Sequence, residues 1–158
     1  MESCTVITVS DRSAAGERAD LAGPALAERL EQAGFPVERV VIPDGAASVA
    51  AAIRAAASHS RVVITTGGTG VGPRDRTPEG TRPELSWELP GIPELLRAHG
   101  RTTAPHAVLS RGLAGVIDVG AGVFVLNLPG SPSAAAEGLD LVLPLLPHLL
   151  DQLEGGDH

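Results

Sequence analysis

The chain has 158 residues, a formal net charge of −7, no lysine or tyrosine and only 2% aromatic residues. That length suits one domain over residues 1–158 with its own core, and the acidic balance, with no basic run or aromatic platform, argues against a nucleic-acid surface. An anionic ligand must therefore be held locally, by loop amides, nearby arginines and a divalent cation. Cys4 is the only cysteine, which excludes an internal disulfide and a thiolate metal cluster. The start of the chain lacks the basic and apolar regions of a leader. Its longest apolar stretch, Leu139 to Leu150, is broken by Asp140, Pro144, Pro147 and His148. A soluble cytoplasmic protein is expected.

Thr5 to Ser10 (TVITVS) reads as a strand buried on both faces, and Asp11 to Asp20 as a polar loop. A helix follows from about Gly23 to Ala33, with Leu21, Leu26 and Leu30 as its stripe and Gly34 as its stop. Val37 to Ile42 is the second strand, Ala46 to Ser58 an alanine-rich helix, and Val62 to Thr65 the third strand. Strands alternating with helices point to a parallel sheet covered on both faces.

That third strand stops in a glycine-rich loop, TTGGTGVGPRDRTPE (Thr65 to Glu79). Gly67, Gly68, Gly70 and Gly72 carry no Cβ, so successive N–H groups can turn toward one anion. Thr77, Pro78 and Glu79 read as N-cap, N1 and N2 of a helix whose positive end faces the same space. Two familiar phosphate loops are excluded. Without lysine there is no Gly-Lys-Ser/Thr, and Pro73 stands where the dinucleotide fingerprint needs its third glycine. A plain turn has no need of two threonines, two arginines and an aspartate.

The next helix runs to about Leu85, a turn falls at Pro90 and Gly91, and another helix covers Pro93 to His99. Gly115 to Val119 and Val123 to Leu128, joined by Gly120-Ala121-Gly122, form a hairpin that makes the sheet mixed. The segment from Ser133 to Leu153 is helical with breaks at Pro144 and Pro147, Leu139, Val142, Leu146 and Leu149 are its core face, and the final GGDH frays. In such sheets ligands bind beyond the carboxyl ends of the strands. Ser10 and Asp11, Pro43 and Asp44, the glycine loop, and Asn127 to Ser131 (NLPGS) all fall there. His59, His99, His106, His148 and His158 show no ligand spacing. Glu137 reads as solvated, and Trp87 as core or interface.

Taken in order, SDR (Ser10 to Arg12), IPD (Ile42 to Asp44), the glycine loop, LSRGLAG (Leu109 to Gly115) and NLPGSP (Asn127 to Pro132) resemble the Mog/MoaB family of molybdenum-cofactor biosynthesis proteins over about residues 5 to 153. The resemblance implies a three-layer α/β/α sandwich with a mostly parallel mixed sheet, and Mg²⁺-dependent transfer of AMP from ATP to molybdopterin. It also implies a homotrimer or hexamer, and a molybdate-inserting protein as partner. Asp44 and Asp75 are the expected catalytic and Mg²⁺-holding carboxylates, since Mg²⁺ takes one or two carboxylates plus phosphate oxygens. The alternatives are that Asp44 caps the helix at Ala46, which would not exclude metal binding, and that Asp75 pairs with Arg74 or Arg76. The expected substrate-binding set is Ser10, Thr66, Gly67, Gly68, Thr69, Gly70, Arg74, Ser110, Pro129, Gly130 and Ser131. Gly45 stands where the family usually has an acid, which leaves one carboxylate fewer near the metal. Gly80 replaces the usual alanine, which weakens a helix by roughly 1 kcal/mol. The alternatives are a non-catalytic MoaB-type pterin-binding paralogue and a nucleotide pyrophosphatase of the same fold.

Overall fold

The computed structural model describes residues 2–157. Its elements are β1 (Cys4–Val9), α1 (Asp11–Ala14), α2 (Ala22–Gln32), β2 (Val37–Ile42), α3 (Ala46–Ala57), β3 (Val62–Thr66), α4 (Thr77–Thr81), β4 (Trp87–Glu88), α5 (Gly91–Gly100), β5 (Ala114–Ile117), β6 (Val123–Leu128), α6 (Pro132–Val142) and α7 (Leu146–Leu153). One sheet joins the strands in the order β2-β1-β3-β6-β5-β4. The first four are parallel, while β5 runs antiparallel to β6 and β4 antiparallel to β5.

Every residue of β1, β3 and β6 is buried, which is why these strands read as continuous apolar runs. Alternation reappears in how they pack. Val6, Ile64 and Leu126 join one cluster with Leu26, Leu30 and Leu139 of α2 and α6, while their neighbours Ile7, Val63 and Val125 join a second with Val49 and Ile53 of α3. The sheet thus separates two helical layers, and the three-layer mixed architecture is as expected. Strand β2 closes one edge and is partly exposed, with charged Glu38 and Arg39 protecting it from further pairing. The run Pro132–Leu153 is long and apolar enough by composition to cross a membrane. Its Leu139, Val142 and Leu146 are nevertheless wholly buried, each burial worth about 1.5–3 kcal/mol.

Several local expectations are corrected. Asp11 to Ala14 is a helical turn, because the Ser10 side chain accepts from the Ser13 N–H and caps it. Arg76, whose side chain makes no capping bond, is the N-cap of α4, and Thr77 lies inside the helix. Trp87 and Glu88 form a short strand on β5, and Trp87 is 46% exposed. Leu21 lies outside the α2 stripe and is exposed. Gly80 does more than weaken a helix: an added Cβ would collide with Ala46 O and lie 2.8 Å from Val49 Cβ, so the glycine lets α4 sit closely on α3. Of the expected GGDH tail, His158 lies outside the described residues.

Candidate active site

Parallel pairing sets Val9 beside Ile42, Thr8 beside Thr66, and Thr66 beside Leu128, so four strands deliver their following loops to one edge. The glycine loop is anchored there from below. Thr66 Oγ1 donates to Pro129 O at 2.7 Å, and the Gly67 N–H to Leu128 O at 3.1 Å, tying the loop to the Pro129-Gly130-Ser131 turn. Gly67 has φ 102°, and a Cβ there would strike Val9 O, so no other residue fits this corner without movement. Thr77 holds the loop from the other side, Oγ1 donating to Gly67 O at 2.8 Å and N–H to Gly68 O at 3.0 Å. Beneath lies buried Asn127, whose Nδ2 donates to Thr65 Oγ1 at 2.9 Å and Thr81 Oγ1 at 3.0 Å while Oδ1 accepts from the Leu113 N–H at 3.1 Å. Several threonines of the motif thus spend their hydroxyls on the loop itself. The N–H groups of Gly68, Thr69 and Gly70 donate to no protein acceptor among the described residues.

Asp44 does not cap α3, whose N-cap is Gly45. Its Oδ2 accepts from the Asp11 N–H at 2.9 Å, and Asp11 Oδ1 accepts from the Asp44 N–H at 3.0 Å, a reciprocal lock between the ends of β1 and β2. Arg74 closes this lock bidentately on Asp11, Nε to Oδ2 and Nη2 to Oδ1 both at 3.1 Å. The Arg74 guanidinium holds the Asp11 carboxyl below the usual carboxylate range, chiefly through these hydrogen bonds. Asp75 forms no ion pair among the described residues, and its Oδ2 accepts from the Gly72 N–H at 2.9 Å. Asp44 and Asp75 therefore share a pattern, one oxygen fixed by a backbone amide and Oδ1 without a protein partner among the described residues. Asp44 Oδ1 is 3.3 Å from where a Cβ of Gly68 would stand. No group of three or more His, Cys, Asp or Glu converges among the described residues, and His158 lies outside them.

Against the loop at Thr69 and Gly70 opens an apolar cavity of about 490 Å³. Of the expected residues, Thr69, Gly70, Ser110, Pro129 and Ser131 line it, whereas Ser10, Thr66, Gly67, Gly68, Arg74, Gly130 and both aspartates do not. The glycine loop thus runs from Gly68, beside Asp44 Oδ1, to Gly70, which lies beside Asp75 Oδ2 and lines the cavity. Helix α6 begins at this cavity, with Ser133 and Ala134 in its lining, so its positive end faces the same space. Sequence reasoning missed Arg97, His99, His106 and Glu137 in the lining. Arg97 Nη1 is 3.4 Å from Ser110 O and Gly112 O. The missed signal is helical spacing: Ser133, Ala134, Glu137, Gly138 and Leu141 form one stripe of α6, and Pro93, Leu96, Arg97 and Gly100 one stripe of α5.

Fold and site together define an α/β domain of mixed sheet whose cavity lies at the carboxyl edge of the parallel strands, walled by a glycine loop. The chain matches the family described as probable molybdopterin binding domain over residues 5–148, and it belongs to that family. It is 44% identical over 156 residues to a molybdenum cofactor biosynthesis bifunctional protein of Synechococcus elongatus, covering 98% of this chain and 48% of that one. A molybdopterin adenylyltransferase of Pyrococcus furiosus is 39% identical, with 92% of this chain and 87% of that one covered. The solved Mog protein of Mycobacterium ulcerans superposes with a TM-score of 0.90 at 41% identity, covering 97% and 99% of the two chains. The chain spans about half the length of the bifunctional relatives it matches.

Proposed function

We propose that this chain is a molybdopterin adenylyltransferase of molybdenum-cofactor biosynthesis, acting as one domain. The terminal phosphate oxygen of molybdopterin attacks the α-phosphorus of ATP, the bond from that phosphorus to the bridging oxygen breaks, and adenylyl-molybdopterin and pyrophosphate form. The supporting observation is the position of the glycine loop as a shared wall, with Asp44 Oδ1 beside Gly68 and the apolar cavity beginning at Thr69 and Gly70. A reaction that brings two phosphate esters together needs such a wall, since positioning and fixed dipoles supply most of its acceleration.

In this reading the cavity holds the apolar body of the pterin against Ser110, Pro129 and Ser131, with Gly130 shaping the turn between the last two. The free amides of Gly68, Thr69 and Gly70 receive phosphate oxygens. Ser10 and Thr66 serve the substrates by holding the edge in shape, through the α1 cap and the bond to Pro129. Arg74 keeps Asp11 and Asp44 in register and offers its charge to the nucleotide. The donor set suits Mg²⁺, because Asp44 and Asp75 each present one oxygen without a protein partner, and Mg²⁺ is commonly bound by one or two carboxylates plus substrate phosphates. When bound, Mg²⁺ would neutralise phosphate charge and ease departure of pyrophosphate. Exposed Val71 and Leu109 in the cavity lining, with exposed Val108 next to Leu109, support a homotrimer or hexamer, and the molybdate-inserting protein of the pathway is the expected partner for the product. Buried, unpaired Cys4 suits a cytoplasmic setting.

The test is pyrophosphate release with ATP, Mg²⁺ and molybdopterin, for the wild type and for Asp44→Asn and Asp75→Asn. Each variant is expected to lose at least about a hundredfold in rate while still binding pterin. Pterin binding without release by the wild type would establish the non-catalytic paralogue instead, and dinucleotide hydrolysis without pterin a pyrophosphatase.

A further inference from the structure

Arg111, the residue after Ser110 in the LSR motif, has no part in the reading above, yet its guanidinium is used from end to end. Nε donates to Gly70 O at 2.8 Å, Nη2 to Asp75 O at 2.9 Å, and Nη1 and Nη2 to Glu79 Oε2 and Oε1 at 2.7 and 3.0 Å. Its own backbone N–H donates to Thr69 O at 2.8 Å. One residue therefore takes up the carbonyls of Thr69, Gly70 and Asp75. In a trans peptide the C=O of one residue and the N–H of the next point in opposite directions. With Thr69 O drawn toward Arg111, the Gly70 N–H is turned away from it; with Gly70 O drawn likewise, so is the Val71 N–H.

We infer that Arg111 is a positioning residue: it presets the loop amides and the backbone of Asp75 so that a phosphate ester meets them already aligned. This rests on the reading that the glycine loop holds phosphate. Surface pairing with Glu79 is not enough to account for the arrangement, because the two side chains are 35% and 42% exposed and such pairs contribute little. The contacts that matter are those to carbonyls, and the side chain makes them through two donors of its planar fork, Nε to Gly70 O and Nη2 to Asp75 O. A lysine is a single point charge and cannot span Gly70 O and Asp75 O together.

The experiment compares Arg111→Lys, Arg111→Ala and Glu79→Gln with the wild type, using inorganic pyrophosphate as the probe. Calorimetry reads its affinity, and hydrogen–deuterium exchange reads the loop from residue 67 to 76. Both Arg111 variants are expected to bind pyrophosphate about tenfold more weakly, the order seen when a supporting shell is lost. Exchange should accelerate in the loop while β1 and α6 stay as in the wild type. Glu79→Gln, which leaves the carbonyl contacts, should stay within about twofold. Wild-type affinity in Arg111→Lys, exchange that rises uniformly along the chain, or no pyrophosphate binding by the wild type would each overturn the inference. Adenylyl transfer is assayed on the same wild-type preparation. Arg111-dependent pyrophosphate binding without transfer would refute the proposed activity and leave the positioning role standing.

Discussion

Asn127→Ala is expected to remove about 3 kcal/mol of folding stability. The side chain is 3% exposed and makes three hydrogen bonds, two to the hydroxyls of Thr65 and Thr81 and one from the Leu113 N–H. Truncation leaves that buried N–H without an acceptor, which costs about 1–3 kcal/mol, and each lost hydroxyl bond adds about 0.5–1.5 kcal/mol, eased where a hydroxyl can turn. For a chain of this size that total lowers the melting temperature by roughly 6–12 °C. Urea unfolding at one protein concentration, with the slope against denaturant unchanged, reports the loss directly. Thr81→Ala should cost less in the Asn127→Ala background than in the wild type, because the two side chains share a bond. A variant within about 1 kcal/mol of the wild type, with additive double-mutant behaviour, would refute the argument that this hub holds β3, β6 and α4 together.

Burial pushes the Cys4 thiol up to about 12 from an ordinary value near 9, with a smaller contribution from the Glu2 charge. The folded state keeps this proton while the unfolded state releases it above pH 9, so the contribution is full below pH 9 and is lost as pH rises toward 12. Because the sequence has no lysine or tyrosine, alkaline unfolding curves should fall by up to about 1.4 kcal/mol per pH unit in this range. Cys4→Ala should flatten that slope, and equal slopes in the two proteins would exclude the thiol as its source. Gly67→Ala is expected to cost about 3 kcal/mol, because strain at φ 102° adds to the collision with Val9 O. At Gly120, with φ 59° and open space, alanine should cost only about 1–2 kcal/mol. Parallel thermal melts compare them, and equal losses would show that the corner at Gly67 yields.

Most of the sheet was legible: burial on both faces demands apolar, β-branched strands, and β1, β3 and β6 carry that pattern, while edge strand β2 keeps β-branched residues among its charges, all within a residue of their observed ends. The elements that were not legible are those defined by a partner. The single turn of α1 has no apolar face, and it forms because Ser10 caps it and Asp11 locks to Asp44. Strand β4 is two residues long and exists only through its pairing with β5. Gly80 reads as a weak helix position until α3 is seen pressed against it.

The site divides in the same way. Motif order along the chain determined which loops matter, since a parallel sheet carries every strand-following segment to one edge whatever the intervening packing. Only the tertiary structure decided what each side chain does there. Arg74 pairs with Asp11, Thr66 with Pro129, and Arg111 with the glycine loop, contacts separated by between 36 and 63 residues in sequence. Hydrogen bonds depend on distance and angle between groups that chain order does not bring together, so a motif reveals the presence of a donor without its acceptor. The apolar cavity is likewise a property of several segments brought together, α5, α6, the glycine loop and residues 103–112, and none of them shows it alone.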